Sequence, residues 1–319
     1  MQHIIGPLEC RLVTMLAVLL LLAQDIRVDV ELVRIPCTVS DKQGLPAKNL
    51  KASDFTVRDN GAKRAVKYFS RDTDLPLTVG LVVDLSGSQR RFATMHRRAL
   101  AQFFQQILRK GDRVFLAGLE RDVRLVQDFT DSSAVLDAAL ERLQPRVGPQ
   151  LGEPCPTKEI FIRGSRSVTI PVCGGSVIWD AVYYASEKLR RVDGRKAILL
   201  LTDGDDSGSP HSLSQTIGMA QAAEAIVYPI RSILGRRRKD PGKKQLEQLA
   251  SGTGGAFFDG SREEDSEPIF QKIQAELREQ YVLGFNADGP RDGSFHELKV
   301  TASRGMKVRT RSGYWTGKK

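Results

Sequence analysis

Residues 79–88 read VGLVVDLSGS, and this stretch decides how the rest of the chain is interpreted. The apolar run 79–83 predicts a strand that is buried on both faces, as in a parallel sheet. The run ends in Asp84, Ser86 and Ser88, so a carboxylate and two hydroxyls follow it, where open α/β sheets bind their ligands. Oxygen donors without sulfur or imidazole suit a hard divalent cation. A helix N-cap at Ser88, with a turn closed by Ser86, explains the same residues equally well.

Two later stretches add candidate ligands of the same chemical kind. Residues 174–180, GGSVIWD, place the hydroxyl of Ser176 in a Gly-Gly loop directly before a predicted helix. Residues 197–206, AILLLTDGDD, predict a second buried strand that again ends in a carboxylate, Asp203. These two stretches favour a cation site over a simple helix cap.

Together the three segments resemble the metal-ion-dependent adhesion site of von Willebrand factor type A (VWFA) domains. The resemblance implies that one Mg²⁺, with Mn²⁺ or Ca²⁺ as alternatives, is bound by the hydroxyls of Ser86, Ser88 and Ser176. It also implies that Asp84 and Asp203 act through water and supply negative charge. A glutamate or aspartate of a partner protein would complete the metal shell. Ser176 occupies a position where the family has threonine, which keeps the hydroxyl and loses a methyl group.

The same resemblance gives roles to residues around the metal. Asp180 lies on the helix after the Ser176 loop and is expected to anchor the third loop, which carries Asp203, through hydrogen bonds. Gly175 and Asp205 are expected beside the metal rather than bound to it. The phrases DFTVRDNG at 54–61 and ELREQYVLGF at 276–285 further resemble a bacterial group of secreted VWFA-related proteins.

The first 23 residues predict an export signal. Residues 12–23 form an apolar run that is too short to span a membrane and ends in the small residue Ala23. We therefore expect a signal peptide over 1–23 and a secreted, periplasmic or cell-envelope location. An uncleaved anchor is the alternative, because Leu21, two residues before Ala23, is not small.

The remaining chain predicts an α/β fold with an accessory β region. Alternating strands and helices over 75–280 indicate a doubly wound, mostly parallel sheet of the VWFA type. Residues 24–74 predict a β region with a hairpin at Asn60-Gly61, and residues 281–319 predict further strands. We expect the two terminal regions to pack together as one β-sandwich, with the VWFA unit inserted between its halves.

Residues 145–173 interrupt the alternation and predict an inserted hairpin loop with strands at 159–162 and 167–172. Cys155 and Cys173 bracket this hairpin, and in an exported protein that spacing favours a disulfide. Two free thiols are the alternative. Cys37 is expected to be a buried apolar residue of a strand.

The chain of 319 residues carries a formal net charge of +10, with basic groups at 90–98 and 236–244. Neither group is interleaved with aromatic residues, and no nucleic-acid-binding signature is present in the sequence. Solvated surfaces explain both groups, and an anionic envelope surface is the partner that such charge would favour.

The sequence does not favour an enzyme. Ser86 is not in a G-x-S-x-G motif, and the four histidines form no recognisable catalytic pattern. His96 is expected to face out of, or flank, the apolar stripe of its helix. The predicted function is therefore an exported protein-binding or adhesion module. A structural scaffold with an inert metal site is the main alternative, and a metal-dependent hydrolase is a weaker one.

Overall fold

The computed structural model describes residues 31–71, 75–86, 90–143, 157–161, 167–171, 176–233, 240–287 and 292–317. The helices are α1 (Arg90–Ile107), α2 (Ser133–Arg142), α3 (Ile178–Arg190), α4 (Leu213–Ala222), α5 (Pro241–Thr253) and α6 (Glu263–Arg278). The first strands are β1 (Glu31–Ser40), β2 (Phe55–Asp59), β3 (Ala62–Arg64), β4 (Tyr68–Arg71), β5 (Leu77–Asp84), β6 (Arg113–Leu119), β7 (Val123–Thr130), β8 (Thr157–Phe161) and β9 (Ser167–Pro171). The later strands are β10 (Arg195–Thr202), β11 (Ala225–Arg231), β12 (Phe258–Asp259), β13 (Gln280–Ala287), β14 (Phe295–Ala302), β15 (Lys307–Thr310) and β16 (Gly313–Trp315).

Strand β5 lies in the middle of the main sheet, whose order is β12-β11-β10-β5-β6-β7. Apart from the antiparallel β6–β7 pair, the strands of this sheet pair in parallel. The chain moves outward from β5 to β6 and later returns to the other side of β5 as β10. The strand order therefore reverses between β5 and β10, and their carboxyl ends flank the binding crevice of a doubly wound sheet.

Helices cover both faces of this sheet. Val79, Leu81 and Val83 of β5 pack into a core that includes residues of α1, α2 and α6. Val82 points to the other face and joins a core with residues of α3, α4 and α5. All of β5 is buried, which confirms the strand and the doubly wound α/β class that the apolar run predicts.

The two ends of the chain form one accessory β region, as expected. One sheet has the order β15-β1-β13-β4 and the other has the order β16-β14-β2-β3, so each contains strands from both ends. The core of this region includes Ile35, Phe55, Tyr281 and Leu298. Cys37 lies in the same core and is fully buried, which confirms its expected role as an apolar residue.

Two stretches of the accessory β region each form two separate strands. Residues 62–69 give β3 and β4, and residues 306–314 give β15 and β16. In both cases the two strands belong to different sheets, so the chain crosses from one layer of the sandwich to the other.

The hairpin predicted inside the inserted segment is present as β8 and β9, which pair antiparallel from Thr157 opposite Pro171 to Phe161 opposite Ser167. Cys155 and Cys173 lie outside the described residues, so their disulfide stays a prediction. The signal peptide expected over 1–23 also lies outside the described residues.

Arg311 attaches the β region to the helical layer. Its side chain is 8% exposed, and its guanidinium donates to the carbonyls of Gln221 in α4 and Arg34 in β1. The Gln221 side chain in turn donates to Gly252 O at 2.8 Å. One arginine therefore links three elements that are distant in sequence.

His96 of α1 is fully buried, so the expectation that it flanks the apolar stripe is wrong. Its Nε2 lies 2.9 Å from Ser232 Oγ, and its Nδ1 lies 2.8 Å from Ser266 Oγ on α6. The Ser232 hydroxyl donates to Gly260 O. Because that hydroxyl has a single hydrogen, Nε2 must donate to it and Nδ1 then accepts from Ser266. The network thus selects one neutral tautomer, and burial lowers the pKa of His96 to about 4.

We expect this histidine to make folding stability depend on pH. Its folded pKa lies below the ordinary value of 6.5, so its neutral form stabilises the fold above pH 6.5. That contribution is lost as the pH falls from 6.5 to about 4. Urea unfolding should show the wild type losing stability across this window relative to His96→Gln, by at most roughly 1.4 kcal/mol per pH unit. Parallel profiles for the two proteins would contradict this role.

Candidate functional site

Three chain segments meet at the carboxyl ends of β5 and β10. The first is the end of β5 with Asp84 and Ser86, the second is the start of the α3 segment with Ser176, and the third follows β10 with Asp203. Asp84, Ser176 and Asp203 are 2%, 3% and 5% exposed, respectively. We call this arrangement the three-loop site. It lies where the strand order of the sheet predicts a ligand crevice.

Asp84 is the hydrogen-bonding centre of the three-loop site. Its Oδ1 accepts from the Ser86 backbone N–H at 2.9 Å and from the Ser176 hydroxyl at 3.0 Å. Its Oδ2 accepts from the Thr202 hydroxyl at 2.8 Å. The Ser86 side chain also hydrogen-bonds to Asp84. One carboxylate therefore holds hydroxyls from all three segments.

The electrostatics of the site favour a positive ion. The pKa of Asp84 is raised to about 6. Burial is the main cause and the charge of Asp203 adds to it, whereas the hydrogen bonds from Ser86 and Thr202 oppose the shift. Among the main causes of this shift in the described part of the chain, none is a basic side chain. Two neighbouring buried carboxylates repel each other, and a bound cation would relieve that repulsion.

The donor set fits a hard divalent cation such as Mg²⁺. It consists of carboxylate and hydroxyl oxygens, which Mg²⁺, Mn²⁺ and Ca²⁺ all accept. When Ser176 gives its hydrogen to Asp84, the lone pairs of its oxygen stay available as ligands. The Thr202 oxygen already accepts from the Gly204 N–H at 3.1 Å, which leaves it less available. Among the described residues no cluster of three His, Cys, Asp or Glu side chains could hold a metal, so the hydroxyls are essential to this fit.

The loop after β10 is fastened to the start of α3. Asp206 forms a parallel bridge with Ser176, and the Ser207 N–H donates to Ser176 O at 3.1 Å. The Asp206 carboxylate also accepts from the Trp179 N–H at 3.3 Å and from the Ser209 hydroxyl at 2.5 Å. These contacts fix the position of Ser176 relative to β10.

Asp180, in the first turn of α3, holds the far part of the same loop. Its carboxylate accepts from the His211 N–H at 3.0 Å and lies 2.7 Å from His211 Nδ1. The His211 ring stacks on Tyr183 with centroids 3.8 Å apart. Asp180 thus anchors the far part of the loop after β10, the third of the three loops, to the start of α3.

A pair of glycines lets the β10 loop contact the start of α5. Gly204 has a φ of +86°, which a side chain would strain. A Cβ on Gly204 would lie 3.1 Å from backbone atoms of Gly242, and one on Gly242 would lie 2.5 Å from Gly204 O. Substitution at either position would therefore displace the backbone next to Asp203.

The structure brings most of the predicted residues together and adds two. Asp84, Ser86, Ser176 and Asp203 converge, and the Asp205 N–H donates to Asp203 Oδ1 at 3.1 Å. Ser88 and Gly175 lie outside the described residues, so their roles stay predictions. Sequence reasoning gave no role to Thr202 or Asp206. The position of Thr202 at the end of β10, directly before Asp203, is the signal that could have identified it.

No protein-family model matches the chain, and no curated protein matches it. Among solved structures, proximal thread matrix protein 1 from the mussel byssus is similar with a TM-score of 0.49 and 14% identity, over 70% of this chain and 51% of that chain. The chain therefore spans about half the length of that protein. Within the described residues, no helix has the length and apolarity needed to cross a membrane.

Two bacterial structures are similar at lower scores. The conserved hypothetical protein BatB from Bacteroides thetaiotaomicron has a TM-score of 0.43 and 17% identity, over 63% of this chain and 99% of that chain. The vWF domain of the type V pili tip protein Mfa5 from Porphyromonas gingivalis has a TM-score of 0.45 and 14% identity, over 63% and 94% of the two chains. The assignment of the fold and of the site therefore depends on the strand order and the contacts of this chain itself.

We expect Thr202→Val to destabilise the metal-free protein. The variant keeps the branched shape of the side chain but removes the hydroxyl that donates to Asp84, which stays buried. The free energy of unfolding in urea with EDTA should fall by about 1–3 kcal/mol. Thr202→Ser is the matched control, since it keeps the hydroxyl and should retain more stability. A valine variant as stable as the wild type would contradict the bond's importance.

Proposed function

We propose that this chain is a divalent-cation-dependent protein-binding module of the VWFA type. The single observation that carries the proposal is the convergence of Ser176 and Thr202 hydroxyls on the buried Asp84 carboxylate, beside Asp203. This convergence gathers oxygen ligands from three segments at the crevice of a doubly wound sheet. The sequence resemblance to the metal-ion-dependent adhesion site supports the same assignment.

In this proposal Ser86, Ser88 and Ser176 contribute hydroxyl ligands, and Asp84 and Asp203 orient water and supply negative charge. Bound Mg²⁺ would supply a Lewis-acidic position for one further oxygen ligand. Asp84 takes the hydroxyl hydrogen of Ser176, which leaves the serine oxygen free to coordinate. Because the direct ligands are neutral hydroxyls and the two carboxylates act through water, the ion stays electrophilic, so a partner's aspartate or glutamate carboxylate is the preferred final ligand.

The proposed organisation follows from the same assignment. Residues 75–280 form the VWFA unit with the inserted hairpin at 145–173, and residues 24–74 and 281–319 form the accessory β region. Export through the signal peptide at 1–23 would place the module in the envelope or outside the cell. The basic charge of the chain would favour anionic envelope surfaces near the partner.

A structural scaffold with an inert metal site is the second candidate. The observation in its favour is that Asp84 is already satisfied by hydroxyl and N–H donors without a cation. A carboxylate satisfied in this way is stable at a strand end as a purely structural group. The scaffold predicts that neither stability nor partner binding depends on divalent ions.

Titration calorimetry with Mg²⁺ and Mn²⁺ separates the two candidates. We expect saturable binding at one site in the wild type and its loss in Asp84→Asn and Ser86→Ala. At a free Mg²⁺ concentration of about 100 times the dissociation constant, the wild type should also gain roughly 2.7 kcal/mol of stability. The control is Asp193→Asn, which removes one exposed carboxylate before the start of β10.

The titration is repeated with acetate, which supplies the carboxylate that a partner would provide. Metal binding that strengthens with acetate supports a partner carboxylate as the final ligand. The absence of saturable binding both with and without acetate would contradict the proposal and favour the scaffold.

A further inference from the structure

A groove of about 550 Å³ lies between the second half of α5 and the strands β14 and β15. Its helix side includes Glu247, Ser251 and Phe257, and its strand side consists of residues 298–300 and 307–312. The groove thus lies between the α/β unit and the accessory β region. Its volume is within the range of ligand-binding clefts.

The groove is remote from the three-loop site. Gly242, at the start of α5, contacts Gly204 of that site. Thr253, at the end of α5, accepts the Val227 N–H near the start of β11. Helix α5 therefore runs from the crevice to the opposite end of the sheet, and the groove lies at that opposite end.

Two strands that line the groove are open on one side. β15 pairs with β1 and is the edge strand of its sheet. β14 pairs with β2 over 298–302, whereas on its other side β16 pairs with it over 295–297. On the side of β14 that faces away from β2, the Leu298 N–H donates to Ser312 O. Residues 299–302 have no partner on that side among the described strands. Open strand edges are the surfaces to which extended peptides add by backbone hydrogen bonds.

The strand side of the groove is basic. It carries Lys299, Lys307, Arg309 and Arg311, whereas Glu247 is the acidic residue on the helix side. Arg309 is paired with Glu276, and Arg311 is buried. Lys299 and Lys307 are exposed, and neither forms an ion pair with a described residue.

The exposed lysines determine which ligand suits this wall. Because Lys299 and Lys307 form no ion pair with a described residue, a ligand that carries carboxylates matches this side of the groove in charge.

We propose that this groove binds an extended, acidic peptide segment of a partner protein, independently of divalent cations. The segment adds along β15 or the open part of β14, with its carboxylates near Lys299 and Lys307. The chain would then have two docking sites at opposite ends of the sheet. One needs a metal and a single carboxylate, and the other needs an extended acidic strand.

The test uses the full chain and a fluorescent peptide of alternating valine and glutamate, about eight residues long and roughly 26 Å when extended. Fluorescence anisotropy should show saturable binding that EDTA leaves unchanged. The double variant Lys299→Glu with Lys307→Glu should weaken binding by about tenfold or more. Hydrogen exchange should slow at residues 307–310 or 299–302 when the peptide binds.

The matched control is the double variant Lys63→Glu with Lys110→Glu, which makes the same charge change at two exposed residues outside the groove. Circular dichroism confirms that all variants fold. Equal loss of binding in control and groove variants, loss of binding in EDTA, or no saturable binding would each overturn the proposal. A dimer that the groove variant dissociates would assign the groove to a second copy of this chain and also overturn it.

Discussion

A carboxylate buried at the end of a fully buried strand must be supplied with donors or a cation, and Asp84 imposes this constraint on the whole site. Its strand, β5, is covered by helices on both faces, so solvent cannot satisfy the charge. The donors come instead from Ser86, Ser176 and Thr202 on three separate segments. The positions of those segments, and of the Asp203 carboxylate among them, therefore depend on one acidic side chain.

The accessory β region is attached at the amino end of the main sheet. The chain enters the α/β unit at the start of β5 and leaves it at the end of α6, and strands before and after this unit pair with each other. Arg311 fastens this region to α4 at the amino end of the sheet. The three-loop site lies at the carboxyl end and stays clear of that attachment. The attachment of the accessory β region and the three-loop site therefore lie at opposite ends of the main sheet.

Sequence patterns predicted the main sheet well because a parallel strand buried on both faces has a distinctive apolar run. They also predicted that Asp84, Ser176 and Asp203 would meet, although about 120 residues separate the first from the last. Carboxyl ends of neighbouring parallel strands share one edge of the sheet whatever their separation in sequence. That rule applies to Asp84 and Asp203, and the resemblance to the metal-ion-dependent adhesion site added Ser176.

Other features depend on tertiary packing and could not be read from local patterns. Thr202 donates to Asp84 because β10 lies directly beside β5, and nothing in the periodicity of β10 specifies that contact. His96 was misplaced because α6 covers a second side of α1, which an apolar stripe on one helix does not reveal. The division of residues 62–69 into two strands could not be predicted, because the alternation of side chains is the same in either layer of a sandwich.

The central claim is that the three-loop site binds a divalent cation through serine hydroxyls. Anomalous diffraction from crystals of the protein grown with Mn²⁺ tests it most directly. The account predicts one strong peak at about 2.0–2.3 Å from the Ser86 and Ser176 oxygens, with Asp84 and Asp203 within reach of its waters. A map without a peak at this site, or with manganese bound elsewhere, would contradict it.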